Sequence, residues 1–110
     1  MFGELKEMSK KQEKTYKDKY PQGFIDHYLA MYSLHRSGLS NQDFRDQNEL
    51  YIECEGQEEF QGLIDEIVLA EKQEDLSWFL KSAISNGIDN IDLNKLKQMF
   101  EAIKHFNVRN

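Results

Sequence analysis

The stretch FQGLIDEIV, residues 60–68, decides which fold the sequence predicts. Its apolar side chains fall at positions i, i+3, i+4, i+7 and i+8, the repeat of one face of an α-helix. They are Phe60, Leu63, Ile64, Ile67 and Val68. The charged residues Glu58, Glu59, Asp65 and Glu66 lie off this stripe. The stretch therefore predicts an amphipathic helix that begins after Gly56 and packs one face on a core.

A second helical repeat lies upstream, in FIDHYLAMYSLHRSG, residues 24–38. Its apolar positions are Phe24, Ile25, Tyr28, Leu29, Tyr32 and Leu34. Pro21 suits the first turn of this helix, and Gly38 suits its C-terminal cap. We expect most of this helix to be buried.

The segment LSNQDF, residues 39–44, has the signature of a helix start. Ser40 can accept a hydrogen bond at the N-cap while Asp43, three residues on, reaches back to it. The chain beyond it keeps helical spacing, although LYIEC, residues 50–54, would also fit a short strand by its β-branched and aromatic content. We interpret the whole segment as helix.

Two further helices are predicted after residue 75. Asp75 and Asp92 are placed as N-caps, and Asn86 with Gly87 is placed to end the first of the two helices. The apolar positions are Leu76, Phe79, Leu80, Ala83 and Ile84 in the first helix, and Leu93, Leu96, Phe100, Ile103 and Phe106 in the second.

These patterns predict an all-α fold, a single-domain bundle of five to six short helices spanning residues 1–110. Residues 1–20 are highly charged, and we expect them to form a peripheral or frayed helix. The predicted core consists of Phe24, Tyr28, Leu29, Leu63, Ile64, Ile67, Phe79, Leu80, Leu96, Phe100 and Ile103.

The net charge of −6 is unevenly distributed along the 110 residues. Residues 1–20 hold six Lys against four acids, whereas residues 21–110 hold eight basic against sixteen acidic groups. An acidic body repels nucleic acid and anionic lipid and attracts basic proteins. The composition therefore favours a basic protein partner and makes nucleic-acid binding unlikely.

A cytoplasmic location is the expectation from the cysteine content and the start of the chain. One cysteine, Cys54, cannot form an intramolecular disulfide, and no apolar leader opens the sequence. The longest apolar runs are a few residues, far short of the roughly 20 that cross a bilayer. We expect no membrane span and no cofactor.

Metal and catalytic motifs are weak in this sequence. Asn90, Asp92, Asn94 and Glu101 match four positions of a calcium loop. Lys95, however, stands where that loop needs glycine. The three histidines are scattered, and Cys54 in an apolar helical stripe is expected to be a small buried residue. We expect no metal site and no catalytic residue.

The stretch ELYIECEGQEEFQ, residues 49–61, is the candidate binding site because it concentrates five glutamates at a junction between two helices. The alternative interpretation is a solvated acidic face with no partner. The predicted partner-binding residues are Asp46, Glu49, Tyr51, Glu53, Glu55, Glu58 and Glu59.

A small, acidic, helical chain without a catalytic motif resembles the immunity proteins that bacteria pair with nuclease toxins. The resemblance is one of type over the whole chain and assigns no family residue to a position here. It implies a protein that is not an enzyme and whose acidic face covers the basic surface of a toxin domain.

Two other functions fit the same sequence. A small DNA-binding regulator or antitoxin would use the helix after AISNGIDNIDL, residues 83–93, with Lys95, Lys97 and Lys104 on phosphates. A small helical enzyme would need a pocket with convergent polar groups. Self-association of the chain is also left open.

Overall fold

The structure, a computed structural model, describes the backbone of residues 16–106 and the side chains of residues 18–106. A helical turn, Tyr16–Lys19, precedes five helices. These are α1 (Phe24–His35), α2 (Asn41–Glu55), α3 (Gln57–Lys72), α4 (Leu76–Ser85) and α5 (Leu93–Lys104). No strand occurs between residues 16 and 106. The all-α single-domain bundle is confirmed, and residues 50–54 are helical.

The helices pack around one apolar core. Helices α1 and α5 each contact α2, α3 and α4, and α2 also contacts α3. Eight of the predicted core residues are buried, namely Tyr28, Leu29, Leu63, Ile67, Phe79, Leu96, Phe100 and Ile103. The other three, Phe24, Ile64 and Leu80, are partly buried against that core. The helical spacing thus placed all eleven residues in or against the core. Four other apolar positions that it selected are exposed, namely Leu34, Val68, Ile84 and Leu93.

A buried asparagine joins three helices. Asn48 of α2 is fully buried, and its Oδ1 accepts a 2.6 Å hydrogen bond from the hydroxyl of Tyr28 in α1. Its Nδ2 donates to the carbonyl of Ala102 in α5 over 3.3 Å. Both ends of this amide are satisfied, as a buried polar group requires.

The start of α1 differs from the prediction. Pro21 lies in a turn that Gly23 N–H closes on the Tyr20 carbonyl at 3.0 Å, the second position of a turn being one that proline favours. The helix begins only at Phe24, after Gly23 with a left-handed φ of 64°. Gly23 offers no side-chain cap, and Glu66 of α3 supplies one instead through the Ile25 N–H.

The end of α1 also differs from the prediction. The helix stops at His35, where the extended backbone of Arg36 ends it, so Gly38 is not its cap. The carbonyl of Gly38 instead accepts the Tyr32 hydroxyl at 2.6 Å. Leu34 is 79% exposed because it lies about 200° around the helix from Tyr32, off the buried stripe.

The predicted helix caps are confirmed in part. Ser40 Oγ accepts from the Asp43 N–H, and the Ser40 N–H donates back to Asp43, a complete capping box. Asp92 accepts from the Lys95 N–H at 2.8 Å. Asp75 is at the N-cap position of α4 but makes no cap bond, because its carboxylate binds Lys19 and the Tyr20 hydroxyl.

Most of residues 1–20 lies outside the described part of the chain, so the predicted peripheral helix there stays a prediction. Within residues 16–106, no helix combines the length and apolar composition that a membrane span requires.

Candidate functional site

The seven predicted partner-binding residues differ in their exposure to solvent. The six carboxylates are exposed or half-exposed, but the side chain of Tyr51 is only 1% exposed. Its ring lies 5.6 Å from that of Tyr28 and 6.1 Å from that of Phe60, measured between centroids. The prediction that Tyr51 contacts a partner is therefore wrong, since this position of α2 faces the core.

The pKa of the Tyr51 hydroxyl is nevertheless affected by two of the predicted carboxylates, Glu55 and Glu59. Burial raises the pKa of the Tyr51 hydroxyl, and the negative charges of Glu55, Glu59 and Glu66 raise it further. Glu55 and Glu59 come from different helices, so the α2–α3 junction brings both charges close enough to act on the Tyr51 hydroxyl.

The carboxylates form two groups. Asp46, Glu49 and Glu53 lie at i, i+3 and i+7 on one face of α2, and we call them the acidic stripe. Glu55, Glu58 and Glu59 flank Gly56 at the α2–α3 junction, and we call them the acidic end. Glu55 is about 200° around α2 from Glu53, so the two groups are not one continuous helical face.

The acidic stripe is partly compensated by its own neighbours. Asp46 accepts a 2.8 Å hydrogen bond from Gln42 and lies 3.9 Å from Nη1 of Arg36. Arg45, also on α2, is exposed beside the stripe. These cations reduce the field that the stripe presents to a partner.

The acidic end has a single ion-pair partner among the described residues. His27 Nε2 of α1 lies 3.1 Å from Glu55 Oε2, and this contact is an ion pair only when the imidazole is protonated. Glu58 and Glu59 are exposed and make no ion pair within residues 18–106. The acidic end is thus the less compensated of the two groups.

Cys54 is exposed, contrary to the expectation that it is buried. The last turn of α2 extends beyond the core, and Glu53, Cys54 and Glu55 are all exposed there. No hydrogen bond joins Cys54 to His27, His35 or His105, all three of which lie in the described range.

A groove that the sequence did not predict lies between α3 and the segment before α1. It has a volume of about 250 Å³ and is lined by Lys19, Tyr20, Pro21, Phe24, Gly62, Asp65, Glu66 and Leu69. The Phe24 ring packs on Gly62 so closely that a Cβ there would come within 2.6 Å of it. The sequence signal that could have indicated this contact is Gly62 itself, because a lone glycine inside a helical pattern often allows close packing.

The possible metal ligands do not converge. Of the residues that match a calcium loop, Asn90 and Asp92 precede α5 and Asn94 and Glu101 lie on it. Asp92 caps the helix, and Glu101 binds Lys104 and His105. Over the part of the chain that the structure describes, no three His, Cys, Asp or Glu side chains are grouped to hold a metal ion.

Two of the three lysines considered for DNA phosphates are engaged within the protein. Lys95 Nζ donates to the carbonyl of Leu39 at 3.2 Å. Lys104 Nζ lies 2.8 Å from Glu71 and 2.9 Å from Glu101. Within residues 18–106 Lys97 makes no such contact. Of the three lysines, only Lys104 is paired with carboxylates, whereas Lys95 binds neutral oxygen atoms and keeps its positive charge.

No known protein family, curated protein or solved structure matches this chain. The function is therefore inferred from the chemistry and geometry of its own residues.

Proposed function

We propose that this protein binds and neutralises a basic protein partner through its acidic end, and that it acts as an immunity protein that blocks a nuclease toxin. The carboxylates of Glu55, Glu58 and Glu59 take the place of nucleic-acid phosphates at the cationic site of the toxin. The bundle then excludes the substrate sterically, and no bond is made or broken.

The last turn of α2 is the observation that carries this proposal. Negative side chains near a helix C-terminus are unfavourable by about 0.3–1 kcal/mol each, and basic residues are preferred there. Glu55 of the acidic end nevertheless occupies this turn, which contains no basic residue. Glu53 shares the turn but belongs to the acidic stripe, about 200° around the helix. Glu58 and Glu59 stand in the first turn of α3, where acids stabilise a helix, so helix stability explains them but not Glu55.

The exposure of the acidic end suits electrostatic association. Complementary charge across an interface raises the association rate, and this effect weakens as salt screens it. Exposed carboxylates contribute little to folding, so we expect the bundle to stay folded when they are substituted.

The proposal predicts that a gene beside that of this protein encodes a nuclease domain, and that domain provides the test. We expect equimolar protein to inhibit cleavage of DNA or RNA by that domain. Substitution of Glu55, Glu58 and Glu59 by Lys should slow association about tenfold at low salt.

The acidic stripe supplies a matched control. Substitution of Asp46, Glu49 and Glu53 by Lys raises the net charge from −6 to 0, as the first triple does. The second triple should retain most of the association rate. Equal losses of association rate in the two triple variants would show that only the net charge of the protein matters. Absence of nuclease inhibition by the wild-type protein would reject the proposal.

No described contact favours the alternative of a DNA-binding regulator or antitoxin, because Lys95 and Lys104 are held by acceptors of the protein itself. Binding of a labelled duplex at physiological salt would support that alternative.

A further inference from the structure

We infer that the groove between α3 and residues 19–24 is the apolar part of the same binding surface and receives one large apolar side chain of the basic partner. This inference rests on the proposed function, because it assigns the groove and the acidic end to one partner.

The outer face of α3 connects the groove with the acidic end. Glu58, Gly62, Asp65 and Leu69 lie at i, i+4, i+7 and i+11, so they follow one face of the helix. Gly62 is the first residue of α3 that lines the groove, and it is about 6 Å along the helix axis from Glu58. A protein that covers the acidic end at ordinary interface size also reaches the groove.

The shape of the groove fits a protein side chain. Its volume of about 250 Å³ is below the roughly 300–1,000 Å³ of small-molecule pockets. Pro21, Phe24 and Leu69 give it apolar walls, and Leu69 is 38% exposed.

The charge at the rim fits basic residues on either side of that apolar side chain. The positive charge of Lys19 is paired with Asp75 at 3.1 Å. Asp65 is exposed, and among residues 18–106 its Oδ1 accepts only an amide hydrogen bond from Gln61 at 3.1 Å. The uncompensated rim charge is therefore negative, like that of the acidic end.

The groove is held in shape before a partner arrives. The hydroxyl of Tyr20 is bound to Asp75, and Glu66 fixes the first turn of α1 through Ile25. Phe24 is in contact with Gly62. A preformed groove loses little conformational entropy on binding, which favours affinity.

The two parts of the surface then have separate kinetic effects. Carboxylates that steer the encounter act mainly on the association rate. A desolvated apolar anchor acts mainly on the dissociation rate, as most interface contacts do.

Two matched nonapeptides test the inference by NMR on ¹⁵N-labelled protein. Each peptide carries four Lys and four Arg around a central residue, which is Phe in one and Ala in the other. Both should shift the amide signals of Glu58 and Glu59. Only the Phe peptide should also shift those of Gly62 and Leu69, and it should bind about five- to tenfold tighter.

Two variants complete the design. Leu69→Ser should abolish the advantage of the Phe peptide, whereas Ile84→Ser should keep it, because Ile84 is an exposed apolar residue on α4, outside the groove. Circular dichroism of each variant verifies that it is folded.

The outcomes separate the two proposals. If both peptides shift the acidic end equally and neither reaches Gly62 or Leu69, the inference about the groove is overturned and the acidic end keeps its role. If neither peptide shifts the amide signals of Glu58 or Glu59, the proposed function fails, and the groove cannot be part of a binding surface shared with the acidic end.

Discussion

The carboxylate of Glu66 accepts a 2.8 Å hydrogen bond from the backbone N–H of Ile25, 41 residues earlier in the chain. Through this bond a side chain of α3 caps the N-terminus of α1, whose own N-cap residue, Gly23, has no side chain. Glu66 is 6% exposed, and burial raises the pKa of its carboxyl by more than the hydrogen bonds from the Ile25 and Phe24 N–H groups lower it.

Replacement of Glu66 by Ala should lower the free energy of unfolding by about 0.5–2 kcal/mol near pH 5, because α1 loses its cap. The raised pKa means that the folded protein binds a proton more tightly than the unfolded chain. The contribution of this group is therefore complete below its unfolded value and declines as the pH rises through the folded value. The stability difference between wild type and variant should be smaller at pH 8 than at pH 5. Urea denaturation at both pH values measures it, with Asp65→Ala as an exposed control on α3.

Replacement of Ser40 by Ala should lower stability by about 0.5–2 kcal/mol, because half of the capping box is lost while the core is untouched. The change should appear in the denaturation midpoint and leave the slope unaltered. Ser37→Ala, an exposed serine three residues earlier, is the matched control. An unchanged midpoint for Ser40→Ala would contradict the role of the capping box.

Replacement of Ile67 by Ala should cost roughly 2–5 kcal/mol, since Ile67 is fully buried at the centre of the α3 stripe. Its neighbour Val68 is 40% exposed, so Val68→Ala should cost much less. Thermal or chemical unfolding of both variants measures the difference, and similar losses would show that the buried face of α3 has been assigned wrongly.

Replacement of Gly62 by Ala should destabilise the protein by about 1–3 kcal/mol, even though alanine favours helix more than glycine does. The new Cβ would lie 2.6 Å from the Phe24 ring, which must then move. Combining Gly62→Ala with Phe24→Leu should cost less than the sum of the two single changes. An additive double-mutant cycle would refute the direct contact.

Features that depend on residues near in sequence were predictable here, and features that join distant residues were not. Ser40 and Asp43 are three positions apart, and the capping box they predict is present. Asp75 has the same local signal, but its carboxylate is used by Lys19 and Tyr20, more than 50 residues away. No local pattern indicates such a partner.

In the candidate site too, features of residues near in sequence were predictable and contacts between distant residues were not. The concentration of acids around Gly56 is visible in the sequence, and their exposure follows from their positions at helix ends. Tyr51 was misassigned because an aromatic residue among glutamates can face either way, and only the packing of Tyr28 and Phe60 decides. The groove needs both Phe24 and Gly62, which are 38 positions apart in the chain.

The buried amide of Asn48 bears on how many arrangements this bundle can adopt. An apolar core tolerates a helix that slides by one turn, about 5.4 Å, because one apolar contact replaces another. Here such a slip would part the Tyr28 hydroxyl and the Ala102 carbonyl from the amide between them, leaving polar groups buried without partners. Each unpaired group would cost about 1–3 kcal/mol. Asn48 therefore selects one register among α1, α2 and α5, and with it a single position for the end of α2 at which the partner is proposed to bind.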